Sequence, residues 1–156
     1  MTPKSLLRHK EAVSELSELT DGQFHELISD SIDDRKKVSR ILLCSGKIYY
    51  ELDQIRREQN RDDVAVLRLE QLYPLPAEQL CEILDTYPSN TPVFWVQEEP
   101  QNMGAWAFLR FCFGDRIAGR EFHGITRPAS ASPATGSGTS HKIEQDIILQ
   151  QAFERS

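Results

Sequence analysis

The chain has 156 residues, a net charge of −6, and 39% hydrophobic and 27% charged residues. That length suits one compact domain rather than two, and the composition is that of an ordinary soluble globular protein. An acidic balance with scattered Lys and Arg argues against a nucleic-acid or anionic-membrane partner, either of which would select a basic patch.

The opening segment carries Leu6, Leu7, Val13, Leu16 and Leu19 at loosely helical spacing and reads as an arm or short helix leading into the domain. Thr20 with Gln23 fits a capping box, so residues Phe24, Leu27 and Ile28 suit either a short helix or an extended stretch. Residues 29–37 are polar and read as a surface loop, with Arg35, Lys36 and Lys37 as solvated charges. From Val38 the pattern becomes regular, which places a lead-in segment at 1–37 and the domain proper at 38–156. Ile41 to Cys44 is a short continuous apolar run stopped by Ser45-Gly46, as expected of a strand buried on both faces. Next comes a helix with Ile48, Leu52 and Ile55 on one face, then a second buried strand, Val64 to Leu69. Pro76 suits the first turn of a helix carrying Leu80, Ile83, Leu84 and Tyr87. A third strand, Pro92 to Val96, precedes a helix from Gly104-Ala105-Trp106 and a weaker strand at Glu121 to Ile125. The loop ASASPATGSGTS leads to a final helix with Ile143, Ile147 and Ile148. Alternating strands and helices predict a three-layer α/β/α sandwich around a mainly parallel sheet.

In such a sheet ligands bind at the carboxyl ends of the strands. Those ends are Ser45-Gly46-Lys47, Glu70-Gln71, Gln97-Glu98-Glu99 and Thr126-Arg127. Ser45-Gly46 frees helix N–H groups for an anion, but one glycine without a second in register reads better as a plain turn. Glu98 and Glu99 would point to opposite faces of a continuing strand, which fits contacts to a neighbouring domain better than an acid/base pair. Arg127 has the geometry to clamp a carboxylate or phosphate or to make an interface salt bridge. No two of His9, His25, His123 and His141 have metal-ligand spacing, and neither a GxSxG elbow nor a GxxxxGK[ST] loop occurs. Cys44, Cys81 and Cys112 lie far apart in apolar stretches and read as buried reduced thiols, which points to a bacterial cytosol or a mitochondrial matrix. The sequence has no apolar run near the roughly 20 residues of a membrane span, and its first residues do not read as a secretory signal.

Five strings occur in order: MTPKSLLRH, LLCSGKIYYEL, DVAVLRLEQLYPLP, WVQEEPQNMGAW and RPASASPATG with a later His141. Together they resemble the C-terminal region of 2-oxoglutarate dehydrogenase, the decarboxylating first component of its complex. EEPQNMGAW is the most specific, and the ending resembles proteobacterial and mitochondrial members more than actinobacterial ones. The resemblance implies a transketolase-type C-terminal domain of a homodimeric enzyme. That enzyme uses thiamine diphosphate and Mg²⁺, held in the two preceding domains, to decarboxylate 2-oxoglutarate. It passes the succinyl group to the lipoyl arm of the dihydrolipoyl succinyltransferase component. The metal-diphosphate signature of those domains begins Gly-Asp-Gly and ends Asn-Asn; here the chain has Gly114-Asp115-Arg116 and no Asn-Asn pair. Assembly and regulation remain for this chain, with Glu98, Glu99, Asn102, Trp106 and His141 as interface candidates and Ser45, Gly46, Lys47, Gln71 and Arg127 as ligand candidates. Actinobacterial relatives bind acetyl-CoA here. Gln71 of that site is retained, whereas its basic positions fall on Gln23, Glu78 and Gln79, so weak or no acetyl-CoA binding is expected. A stand-alone nucleotide- or CoA-sensing module is the alternative reading.

Overall fold

The structure is a computed structural model that describes residues 3–154. A six-stranded sheet has the order β1-β3-β2-β4-β6-β5. Its centre is four parallel strands, β3 (Val64–Leu69), β2 (Arg40–Cys44), β4 (Val93–Pro100) and β6 (Arg120–Arg127). Two-residue antiparallel strands, β1 (Leu27–Ile28) and β5 (Arg116–Ile117), close its edges. Five helices accompany it: α1 (Leu16–Thr20), α2 (Ile48–Glu58), α3 (Ala77–Leu84), α4 (Trp106–Phe113) and α5 (Gly138–Ala152).

The central strands are apolar on both sides because helices cover both faces. Alternate residues sort into two cores. Ile41, Leu43, Leu67, Trp95 and Phe122 face α3 and α4, alongside Leu80, Leu84 and Leu109. Leu42, Cys44, Val66, Val96 and Ile125 face α2 and α5, alongside Leu52 and Ile148. This is the expected three-layer sandwich.

Several local expectations change. Residues 24–28 take the extended alternative: Thr20 ends α1, its hydroxyl donating back to the Leu16 carbonyl at 3.2 Å, and Leu27 pairs opposite Leu69. The sheet's edge strand therefore comes from the segment before residue 38. In α5, Ile143 and Ile147 are exposed, and the inward stripe is Gln145, Ile148 and Ala152. Cys44 is buried, and desolvation pushes its thiol far above the usual range, whereas Cys81 is half-buried and Cys112 exposed. The loop 29–37 is not uniformly solvated. Arg35 donates to Thr86 and Ser29.

Asp30 in the same loop is buried, its side chain only 2% exposed. Its carboxylate accepts from Arg56 at 2.6 Å, from Ile32 N at 2.9 Å and from Val66 N at 2.5 Å. It thereby takes over the free donor of β3 just beyond the short β1 ladder. A buried donor left without an acceptor would cost about 1–3 kcal/mol.

The amino ends of the strands are closed by arginines. Arg40 donates to the carbonyls of Gln151 and Glu154, and Arg61 to that of Phe153 at 2.6 Å, so both meet the C-terminal end of α5. Arg120 donates to Tyr87 O at 3.0 Å, just past the end of α3. Cations at these ends satisfy the last carbonyls and favour the helix dipole. Asp63 holds Arg61 in place through two bonds of 2.7 and 2.9 Å. The Arg61 guanidinium in turn keeps the Asp63 carboxyl below its ordinary value of 3.8. A depressed carboxyl contributes stability that is present above its unfolded value and is lost as pH falls through the folded one. Asp63→Asn is therefore expected to flatten the loss of stability below about pH 4; urea midpoints measured from pH 7 downward check this, and an unchanged acid limb would contradict it.

Candidate functional site

Of the four central parallel strands, β2 lies between β3 and β4; the chain runs from β2 to β3 on one side and then crosses back from β3 to β4 on the other. The carboxyl ends of β2 and β4 therefore flank a topological switch point, where open α/β sheets form a crevice. A cavity of about 550 Å³ lies there, floored by Trp95, Val96, Leu72 and Phe108 and with Ser45 and Glu98 among its polar lining.

One side chain organises this end. Gln97 is buried, and its carboxamide makes five hydrogen bonds. Its Oε1 accepts from Trp95 Nε1 at 2.8 Å and from Trp106 N at 2.9 Å. Its Nε2 donates to the carbonyls of Glu99, Pro100 and Met103, the last at 2.8 Å. The loop from Pro100 to Ala105 is thus folded over one amide. Gly104 lies against it with φ +66°, and a Cβ there would come within 2.9 Å of the Gln97 amide. Gly124 has a comparable role on β6. The indole of Trp106 lies on it, where a Cβ would be 2.6 Å from ring carbon, and packs against Phe122.

The charged rim residues are engaged within the chain. Lys47 pairs with Glu98, and with Glu51 at 3.7 Å. Arg127 donates to Glu98 O, to Glu144 at 3.1 Å and to Pro133 O at 2.6 Å, joining β6, β4, the Ser-rich loop and α5. Asn102 exchanges two bonds with Ser130. Gln71 donates to Glu26 and to Pro74 O, each at 2.9 Å, away from the switch point. Ser45 and Gly46 form the turn into α2; Gly46 has φ +72°, and no atom lies near where its Cβ would be. Glu99 is exposed at the cavity mouth, and His141 is exposed in the first turn of α5. The structure thus brings together Ser45, Lys47, Glu98, Glu99 and Arg127. Sequence reasoning missed Gln97, Gly104 and Gly124 as the residues that shape the site; Gly104 and Gln97 stand inside the string WVQEEPQNMGAW, which was the available signal.

A second cavity, of about 520 Å³, lies between Glu26 and the start of α3 and is bordered by Glu78, Gln79 and Glu82. Its lining carries three carboxylates and no cation.

Neither region fits a thiamine diphosphate or Mg²⁺ site. Among the described residues no group of three or more His, Cys, Asp and Glu side chains could hold a metal. Asp115 of Gly114-Asp115-Arg116 sits on the surface turn after α4, paired with Arg110. Among the described residues no helix is long and apolar enough to cross a membrane.

Residues 13–153 match the protein family described as 2-oxoglutarate dehydrogenase C-terminal. The chain belongs to this family. It is 45% identical to the 2-oxoglutarate dehydrogenase E1 component of Cupriavidus necator, over 99% of the chain and 16% of that protein. It is 46% identical to the multifunctional 2-oxoglutarate metabolism enzyme of Mycobacterium sp. strain JLS, over 97% of the chain and 13% of that protein. The corresponding enzyme of Mycolicibacterium vanbaalenii is 45% identical over 97% of the chain. The chain therefore spans about a sixth or less of the length of the curated relatives it matches. Identities this similar do not place the chain nearer to the Cupriavidus protein than to the mycobacterial ones.

Gly124→Ala tests the packing of this site. The added methyl must displace the Trp106 indole, so the variant is expected to lose about 1–3 kcal/mol in urea unfolding and to shift tryptophan emission. An unchanged midpoint would mean that the indole does not rest on β6.

Proposed function

We propose that the chain is the C-terminal assembly domain of a 2-oxoglutarate dehydrogenase first component and carries out no chemistry alone. The match of residues 13–153 to the family of that C-terminal region, at about a sixth of a relative's length, is the observation that carries this reading. The internal pairing of Lys47 and Arg127 supports it, because charges spent on holding loops together are not free to act on a substrate. In the whole polypeptide the domains before this one hold thiamine diphosphate and Mg²⁺ and decarboxylate 2-oxoglutarate. The succinyl group then passes to the lipoyl group of dihydrolipoyl succinyltransferase. The setting is a bacterial cytoplasm, or a mitochondrial matrix in a eukaryote.

The 156-residue chain, mixed with 2-oxoglutarate, thiamine diphosphate, Mg²⁺ and ferricyanide, is expected to give no reduction above the blank. The full-length polypeptide is expected to be active, and the same polypeptide without this region inactive. Turnover by the short chain would overturn the assignment.

The sensing alternative is disfavoured by the cavity beside α3. Glu26, Glu78 and Glu82 would repel the phosphates of a nucleotide or CoA. Calorimetry with acetyl-CoA is expected to show weak binding, no tighter than millimolar, or none. Binding in the micromolar range would restore the sensing reading.

A further inference from the structure

Asp21 and Gly22 form the one Asp-Gly pair in the chain, and no Asn-Gly pair occurs. They lie in the lead-in segment at the end of α1, where Asp21 is the C-terminal cap with φ −124° and ψ 0°. Both residues are exposed. The fold demands glycine at position 22, because a Cβ there would lie 2.2 Å from the Glu18 carbonyl oxygen in the last turn of α1. The missing side chain also leaves the Gly22 amide nitrogen uncrowded. No residue of α1 is buried, and Leu16 and Leu19 are 74% and 75% exposed. Few contacts therefore oppose a local opening in which the peptide after Asp21 turns. Asp30, followed by the small Ser31, is the contrasting case. Its carboxylate is 2% exposed and is held by Arg56, Ile32 N and Val66 N.

We propose that Asp21 is a site of spontaneous backbone isomerisation. The Gly22 nitrogen attacks Cγ of the Asp21 carboxyl in its protonated form, once rotation about ψ brings the two together. The Thr20 Oγ1, 3.0 Å from Asp21 Oδ2 and itself donating to Leu16 O, is placed to accept from that protonated carboxyl. A C–N bond forms and the carboxyl C–OH bond breaks. The hydroxyl leaves with the amide proton as water, and a cyclic imide closes. Water then adds to either imide carbonyl and reopens the ring. Opening at the former main-chain carbonyl gives isoaspartate, in which the chain runs through Cβ and Cγ and the free carboxylate sits on Cα. The link between α1 and β1 is thereby lengthened by one carbon. The reaction needs nothing but water and is independent of the enzyme's own catalysis.

The test holds the full-length enzyme at neutral pH in heavy-oxygen water over a time course of days, so that each ring opening writes one heavy oxygen into the residue. Trypsin in ordinary water, cutting after Lys10 and Arg35, then releases residues 11–35 as one peptide that carries both Asp21 and Asp30. Electron-transfer fragmentation locates the label and distinguishes isoaspartate from aspartate. Label at Asp21, with isoaspartate, is expected to accumulate at least about ten-fold faster than at Asp30, which reacts only after local unfolding. Equal rates at the two positions would overturn the proposal. So would an Asp21 that stays unlabelled in the folded enzyme while urea-unfolded enzyme acquires the label, because the fold would then protect it. Asp21→Glu, a change at an exposed position, is expected to abolish the label there, since glutamate closes the larger ring far more slowly. Label that persists in this variant would contradict the imide route.

Discussion

The carboxyl end of this domain depends on the Gln97 carboxamide. An amide offers two donors and an acceptor with two lone pairs, and here they are distributed over Trp95, Trp106 and three backbone carbonyls. Without it the buried Trp95 Nε1–H would lose its acceptor, at a cost of about 1–3 kcal/mol. With the amide in place, the loop after β4 folds back. α4 then starts where Trp106 can rest on Gly124, and the crevice between β4 and α4 gains apolar walls. Gly104 and Gly124 are the complementary condition, since a methyl at either position would meet the amide or the indole.

The other end of the sheet is built on a different principle. Arginines there act as caps, Arg40 and Arg61 placing their guanidinium groups on carbonyls at the end of α5 and Arg120 on that of Tyr87 beyond α3, while Asp63 orients Arg61 and Phe94 lies 3.7 Å beneath Arg40. The result is a domain with one end finished by its own hydrogen bonds and one end finished in apolar side chains. On the proposed assembly role, that polarity marks the carboxyl end as the side for contact. It also explains why polar residues at the strand ends do not assemble a reaction centre: Lys47 and Arg127 are held by Glu98, Glu144 and backbone carbonyls.

The parts legible in the sequence are those where both faces of a strand are buried. Ile41 to Cys44, Val64 to Leu69 and Val93 to Val96 read as continuous apolar runs because helices cover both sides, and Ile48 with Leu52 marks the inward face of α2. The parts that were not legible depend on partners distant in sequence. β1 and β5 are two residues long and have no period to read. Asp30 sits among polar residues, and nothing local distinguishes the carboxylate that reaches Val66 N from its solvated neighbours. In α5 the helix itself was evident, but Ile143 and Ile147 fit a helical face as well as Gln145 and Ile148 do, and only the packing against the sheet chooses. At the site, Glu98, Glu99 and Arg127 were evident as rim residues from the strand ends. The bond from Arg127 to Glu98 was not, since it depends on the bend between Val96 and Pro100 and on the return of the Ser-rich loop.

The central claim is that the carboxyl end of this domain is a surface of contact. A cryo-EM map of the full-length enzyme tests it most directly. The account predicts protein density over Trp95, Phe108 and Tyr73 and open solvent over Arg61 and Gln59. Solvent over the crevice and protein over the arginine-capped end would contradict it.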